Sequence, residues 1–182
     1  MLIDPARSLL LIVDMQEKLL PAMSGTDRQS VLDNCVKLMT AARELGCPIL
    51  VTEQYPQGLG PTVEAIRALV GEENVIAKTA FSALGEERVR DRLADSGLDQ
   101  VVIAGIEAHV CVAQTALGLA ELEVPTFVVA DATTAREPAN RERAEARLRA
   151  AGVDIVSTEM VIFEWLRDSA NPSFKALSPL IR

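Results

Sequence analysis

Apolar residues fall along this chain in two alternating rhythms. Short continuous runs over 9–14, 48–53, 74–78, 100–105, 125–131 and 153–157, rich in Val, Ile and Leu, read as strands. Because they are apolar at consecutive rather than alternate positions, they predict strands buried on both faces, the condition of a parallel sheet covered by helices. Between them, apolar residues recur every three to four positions and predict helices over 28–45, 61–70, 85–96, 109–122, 138–151 and 159–168. Gly46, Gly71, Gly97 and Gly152 follow four of these stretches, where a left-handed cap closes a helix at least steric cost.

Strand followed by helix, six times over, predicts a three-layer α/β/α fold with a doubly wound, six-stranded parallel sheet. Right-handed crossovers make 3-2-1-4-5-6 the expected strand order. A length of 182 residues suits one domain over 1–182, and no repeat or linker divides it. In that order the crevice opens where the carboxyl ends of strands one and four part, and chemistry is expected there.

Composition narrows the partners. A net charge of -8 disfavours nucleic acid and anionic membranes, which are bound mainly through surplus Lys and Arg. The apolar run near the N-terminus is short and flanked by charges, so neither a signal segment nor a membrane span is expected, and a cytoplasmic location follows. Three cysteines fit no zinc or haem spacing, and His109 is the single histidine, so no metal is expected. After strand one, DMQEKLLPAM lacks the glycines that let a pyrophosphate approach, and the Gly58-Leu59-Gly60 triplet follows strand two instead. No cofactor is expected, and the natural partner is a small-molecule substrate.

Three residues converge on the crevice. Asp14 ends strand one, Lys78 ends strand three, and Cys111 lies early in the helix after strand four. Strand three stands two positions from strand one, roughly 10 Å of sheet width, much of which a lysine side chain spans. Taken singly, each has a plainer reading: an Asp after a strand is often a turn residue, and a Lys at a strand end is usually solvated. The cysteines separate by context. Cys35 keeps helical spacing with Val31, Leu32, Met39 and Ala42 and reads as core, and Cys47 fills a strand entrance. Cys111 alone is expected at a helix N-terminus, where dipole and free amides favour thiolate. His109, two positions away, cannot face it on a helix, which leaves Asp14 as the base across the crevice.

The segments LLLIVDMQEKLL, VTEQYPQGLGPTV, KTAFSAL, VVIAGIEAHVCVAQTALGLA and VPTFVVADATTAR carry these residues in order. Together they resemble the isochorismatase-like cysteine hydrolase superfamily, which includes nicotinamidases and related amidases. The likeness is nearest to its isochorismatase domain-containing branch, through QYPQGLGPTV, GIEAHVC and the tail VIFEWLRDSANPSFKALSPLI. The resemblance implies that Asp14, Lys78 and Cys111 form a catalytic triad, that the Ile106–Glu107 peptide is cis, and that the amides of Glu107 and Cys111 form an oxyanion hole. It implies hydrolysis of a small amide-like carbonyl through a thioester. Gln16, Gln54, Tyr55, Phe81, His109 and Val110 are the expected pocket walls, with a core or interface position the equal alternative for Tyr55 and Phe81. Nicotinamidases hold a metal on an Asp and His cluster after strand two, whereas TEQYPQGLGPT has no histidine, so a metal-anchored ring is not expected here.

A non-catalytic binding or scaffold protein keeping the same fold is the alternative. A homo-oligomer is expected from the resemblance and from the apolar C-terminal segment, whose Trp165 and Phe174 exceed what a last covering helix needs.

Overall fold

The computed structural model describes residues 1–25, 27–95 and 97–181. Its strands are β1 (Ser8–Val13), β2 (Ile49–Gln54), β3 (Val75–Lys78), β4 (Gln100–Ile106), β5 (Thr126–Thr134) and β6 (Asp154–Val156). All neighbours run parallel, in the order β3-β2-β1-β4-β5-β6 expected from the strand-helix alternation. β1 and β4 are buried at every position, as their uninterrupted apolar runs require of central strands.

The helices are α1 (Arg28–Leu45), α2 (Pro56–Leu59), α3 (Glu64–Arg67), α4 (Glu87–Asp95), α5 (Ala113–Glu121), α6 (Pro138–Ala150), α7 (Thr158–Leu166) and α8 (Phe174–Leu177). Successive strand residues point to opposite faces, and the core divides accordingly. Leu10 and Ile12 of β1 pack with Leu38 and Met39 of α1, Val161 and Trp165 of α7 and Leu177 of α8. Leu9, Leu11 and Val13 pack on the other face with Val89 of α4, Ala116 of α5 and Leu148 of α6. These two cores sandwich the sheet and hold the carboxyl ends of β1, β3 and β4 in fixed register.

Four details depart from the expectations. The predicted 61–70 helix shrinks to α3, because Thr62 pairs with Gln16 in an isolated bridge and gives both its N–H and its hydroxyl to the Glu53 carboxylate. β5 runs to Thr134, with a register shift against β4 between Ile103 and Gly105 that Asn34 and Thr158 brace by hydrogen bonds to Asp131. The predicted 85–96 helix begins at Glu87, and its residue 96 lies outside the described residues. Trp165, expected at a surface, is 1% exposed and belongs to the core, and Phe174 packs partly buried against the same cluster. Trp165 is therefore consumed by the fold of one chain and does not supply an interface.

Candidate active site

Asp14 follows β1 with a φ of 52°, a left-handed conformation that a non-glycine residue adopts rarely and Asp tolerates better than most. That turn aims its carboxylate across the ends of β2 and β3. Oδ2 accepts a hydrogen bond from Lys78 Nζ at 2.8 Å, and Oδ1 accepts one from the Thr52 hydroxyl at 2.7 Å. Both side chains of the Asp14–Lys78 pair are 0% exposed. Lys78 Nζ also donates to Gln54 Oε1 at 2.7 Å and to the carbonyls of Phe81 and Ala80 at 3.1 and 3.3 Å. A buried ammonium is tolerated only when surrounded in this way by acceptors.

Cys111 reaches the same place from β4. The Ile106–Glu107 peptide is cis, as the resemblance implies, and the chain then forms a π-helical turn over Ala108–Val112 before α5. Gly105 makes the approach possible: its φ is +112°, and a Cβ there would collide with the Val13 carbonyl oxygen of β1. Cys111 is 5% exposed, with Sγ 4.0 Å from Gln54 Oε1. Thr115, one turn on, donates to the Cys111 carbonyl at 2.7 Å and accepts from the Ala83 N–H at 2.9 Å, tying the loop after Lys78 to the cysteine turn.

The thiol is not the preformed thiolate that a helix N-terminus suggests. Burial first, and then the negative charge of Asp14, push its pKa from 9.0 up to about 12, and Lys78 offsets them only in part. Burial is the larger cause; beside it, the Lys78 charge is already engaged by Asp14 at 2.8 Å, which leaves less of it to stabilise a second anion. Cys35 and Cys47 are pushed to about 12 as well, by burial in the core.

The residues expected around the substrate divide. Gln16 and Gln54 are already committed to the protein. Gln16 Nε2 donates to the carbonyls of Gln54 and Gly60 at 3.0 and 2.7 Å, and Gln16 Oε1 accepts from the Gln54 N–H at 2.8 Å. Gln54 spends its amide on Lys78 and on the Thr79 carbonyl. They brace Asp14 and Lys78 from behind, and Gln54 Oε1 also meets Sγ. Tyr55, held at a φ of 39°, and Phe81 are exposed at the rim, while His109 and Val110 are half-buried on the π-helical turn. Thr52, Thr115, Glu53 and Arg136 were missed, because a threonine inside a strand or helix and a lone Glu or Arg carry no signal until the fold gives each a partner. Among the described residues, no group of three or more His, Cys, Asp or Glu side chains is arranged to hold a metal ion.

A buried acid and lysine thus stand beside a thiol at the switch point of a doubly wound, all-parallel α/β sheet. Residues 8–160 match the family model of the Isochorismatase domain. The chain is 39% identical over 175 residues to Isochorismatase domain-containing protein 2 of Danio rerio, covering 96% of this chain and 86% of that one. A structure of the MAR1 ribonuclease from Caenorhabditis elegans superposes with a TM-score of 0.93 at 34% identity, covering 100% of this chain and 92% of that one. The ycaC gene product of Escherichia coli, described as an octameric hydrolase of unknown specificity, superposes with a TM-score of 0.93 at 27% identity over 99% of this chain and 89% of its own. The chain belongs to the isochorismatase family of hydrolases.

Proposed function

We propose that the protein hydrolyses a small amide-like carbonyl substrate through a thioester on Cys111, with Asp14 as the base and Lys78 as its counter-ion. The observation that carries this reading is the Asp14–Lys78 pair, fully buried at 2.8 Å and set beside a thiol that is neutral at rest. Ionising Cys111 alone would put two anions beside one ammonium. Moving its proton to Asp14 as Sγ attacks keeps one negative charge next to Lys78 throughout, so the transfer costs little.

Sγ then bonds the carbonyl carbon, and the carbonyl oxygen takes up the negative charge, received by the backbone amides of Glu107 and Cys111. Collapse of this intermediate breaks the carbon–nitrogen bond, and protonated Asp14 gives its proton to the leaving amine. Water, deprotonated by Asp14, attacks the thioester and regenerates the thiol. Thr52 and Gln54 hold the two ends of the ion pair in place while the proton moves. The protein works on this reading as a homo-oligomer, in line with the octamer of the Escherichia coli relative. Its contacts fall on exposed apolar side chains such as Met160 and Phe163 of α7 rather than on Trp165. Among the described residues no helix is long and apolar enough to cross a membrane.

The name of the Caenorhabditis elegans relative favours a second reading, cleavage of RNA. A net charge of -8 opposes it, since phosphate backbones are held by surplus cations. The test is turnover of a panel of small amides and of a model RNA by the wild type, Cys111→Ala and Asp14→Asn. Amide hydrolysis lost in both variants supports the proposal. RNA cleavage that survives Cys111→Ala, with no amide turned over, would replace it, and inertness toward both would favour a binding protein.

A further inference from the structure

Beside the cysteine turn stands a cation with no part in the mechanism above. Glu107 follows β4 directly, and its largely buried carboxylate faces Arg136, two residues beyond β5. Glu107 Oε2 accepts from both Arg136 Nε, at 3.0 Å, and the Arg136 backbone N–H, at 3.2 Å. One carboxylate oxygen thereby fixes the root and the inner flank of the guanidinium. A guanidinium is a planar fork with a second edge, formed by Nη1 and Nη2. Among the described residues neither Nη atom has a hydrogen-bond partner, and the side chain is 60% exposed.

Two further polar atoms on the same segments are unspent. Thr133 pairs with Gly105 in the sheet and is 2% exposed, yet its Oγ1 has no partner among the described residues. Ala135 packs against Ala108 and Ala113, and strand alternation turns Thr133 to the same side, toward the cysteine turn. On that turn, His109 Nδ1 is likewise buried without a partner among the described residues. Unpaired buried polar atoms are rare enough to ask for a reason. Here a hydroxyl and an imidazole lie on the two segments that also present an anchored, half-engaged guanidinium. Glu107 and Glu137 are the only acids over 105–112 and 133–138, and Glu107 is taken by Arg136.

We infer that this corner is a carboxylate subsite, and that the substrate carries a carboxylate close to its scissile carbonyl, received on the free edge of Arg136. The inference rests on Cys111 being the nucleophile. A planar anion with two oxygens matches the Nη1–Nη2 edge, and a chain of net charge -8 needs such a local cation to draw an anionic substrate in.

Iodoacetate and iodoacetamide, alike in size and different in charge, test it on the full chain. Each forms a carbon–sulfur bond to Sγ and expels iodide, the thiol proton passing to Asp14 and solvent. Initial labelling rates of Cys111 are read by peptide mass mapping at mildly alkaline pH, beside glutathione as a free thiol. The iodoacetate-to-iodoacetamide ratio at Cys111 is expected about tenfold above that of glutathione, corresponding to about 1.4 kcal/mol. Arg136→Gln should bring it down to the glutathione value while the neutral reagent's rate changes far less. Arg143→Gln, which removes the same charge from the exposed side of α6, should leave the ratio alone. A ratio unmoved by Arg136→Gln, or lowered equally by Arg143→Gln, overturns the subsite and leaves the nucleophile standing. If neither reagent labels Cys111 ahead of Cys35 and Cys47, the nucleophile assignment itself fails, and the subsite with it.

Discussion

Replacing Lys78 by Met keeps much of the side-chain volume and removes the cation paired with Asp14. The pair is 2.8 Å apart with both side chains 0% exposed, so the substitution strands a carboxylate whose remaining side-chain partner is the Thr52 hydroxyl. Breaking one side of a buried ion pair costs about 3–5 kcal/mol. That is a large share of the roughly 5–15 kcal/mol that holds a domain folded. At about 2–4 °C per kcal/mol for a chain of this size, the melting temperature should fall on the order of 6–20 °C. Asp14→Asn should cost less, because Lys78 keeps Gln54 Oε1 and the carbonyls of Ala80 and Phe81 as acceptors.

The double variant Asp14→Asn/Lys78→Met removes both charges and should recover much of the loss, giving a coupling of about 2 kcal/mol or more in a double-mutant cycle. Urea denaturation followed by circular dichroism measures all four proteins. Losses that simply add, or a Lys78→Met cost under about 1 kcal/mol, would mean that the pair is solvated and would remove the electrostatic basis of the mechanism.

Three further outcomes follow from the same contacts. Gly105→Ala places a Cβ against the Val13 carbonyl at a φ of +112°, and should cost at least about 3 kcal/mol or prevent folding, read as loss of soluble protein or of the cooperative urea transition. Trp165→Ala should cost about 3–5 kcal/mol by emptying a core position, whereas Trp165→Phe should cost distinctly less, because Trp165 Nε1 has no partner among the described residues to lose; equal costs in a thermal melt would contradict this packing. The three thiols, each pushed mainly by burial from 9.0 to about 12, bind protons more tightly in the folded chain than in the unfolded one. Their contribution is therefore complete below pH 9 and is lost as pH rises toward 12, by up to about 1.4 kcal/mol per pH unit for each thiol. A urea midpoint that stays level or climbs over that range would refute it.

Much of the architecture was legible because it follows from burial. The run of apolar residues in β1 has no polar face, so helices had to cover both sides, and handedness then set the strand order. The convergence of Asp14, Lys78 and Cys111 followed from strand order alone. What escaped were features set by tertiary partners. Residues 61–70 have helical spacing, yet the Glu53 carboxylate captures Thr62 before the helix can start. Nothing in a sequence shows that the Gln16 and Gln54 amides are also spent on backbone carbonyls. Thr52 reads as an ordinary strand residue until its hydroxyl is found on Asp14. The acidity of Cys111 was misjudged for a related reason: proximity to a lysine was visible, but not the burial of the thiol, nor that Asp14 had already claimed the lysine's charge.

On the proposed pathway Cys111 carries the acyl group and Asp14 takes and returns its proton. Acid-quenching the enzyme during steady turnover of a hydrolysed amide, then mapping its peptides by mass, tests this most directly. An acyl adduct is expected on the Cys111 peptide in the wild type. No adduct should form in Asp14→Asn, where Sγ has lost its proton acceptor, nor any product in Cys111→Ala. Product formed by Cys111→Ala at a rate comparable to the wild type, or an acyl group trapped on Cys35 or Cys47 instead, would contradict it.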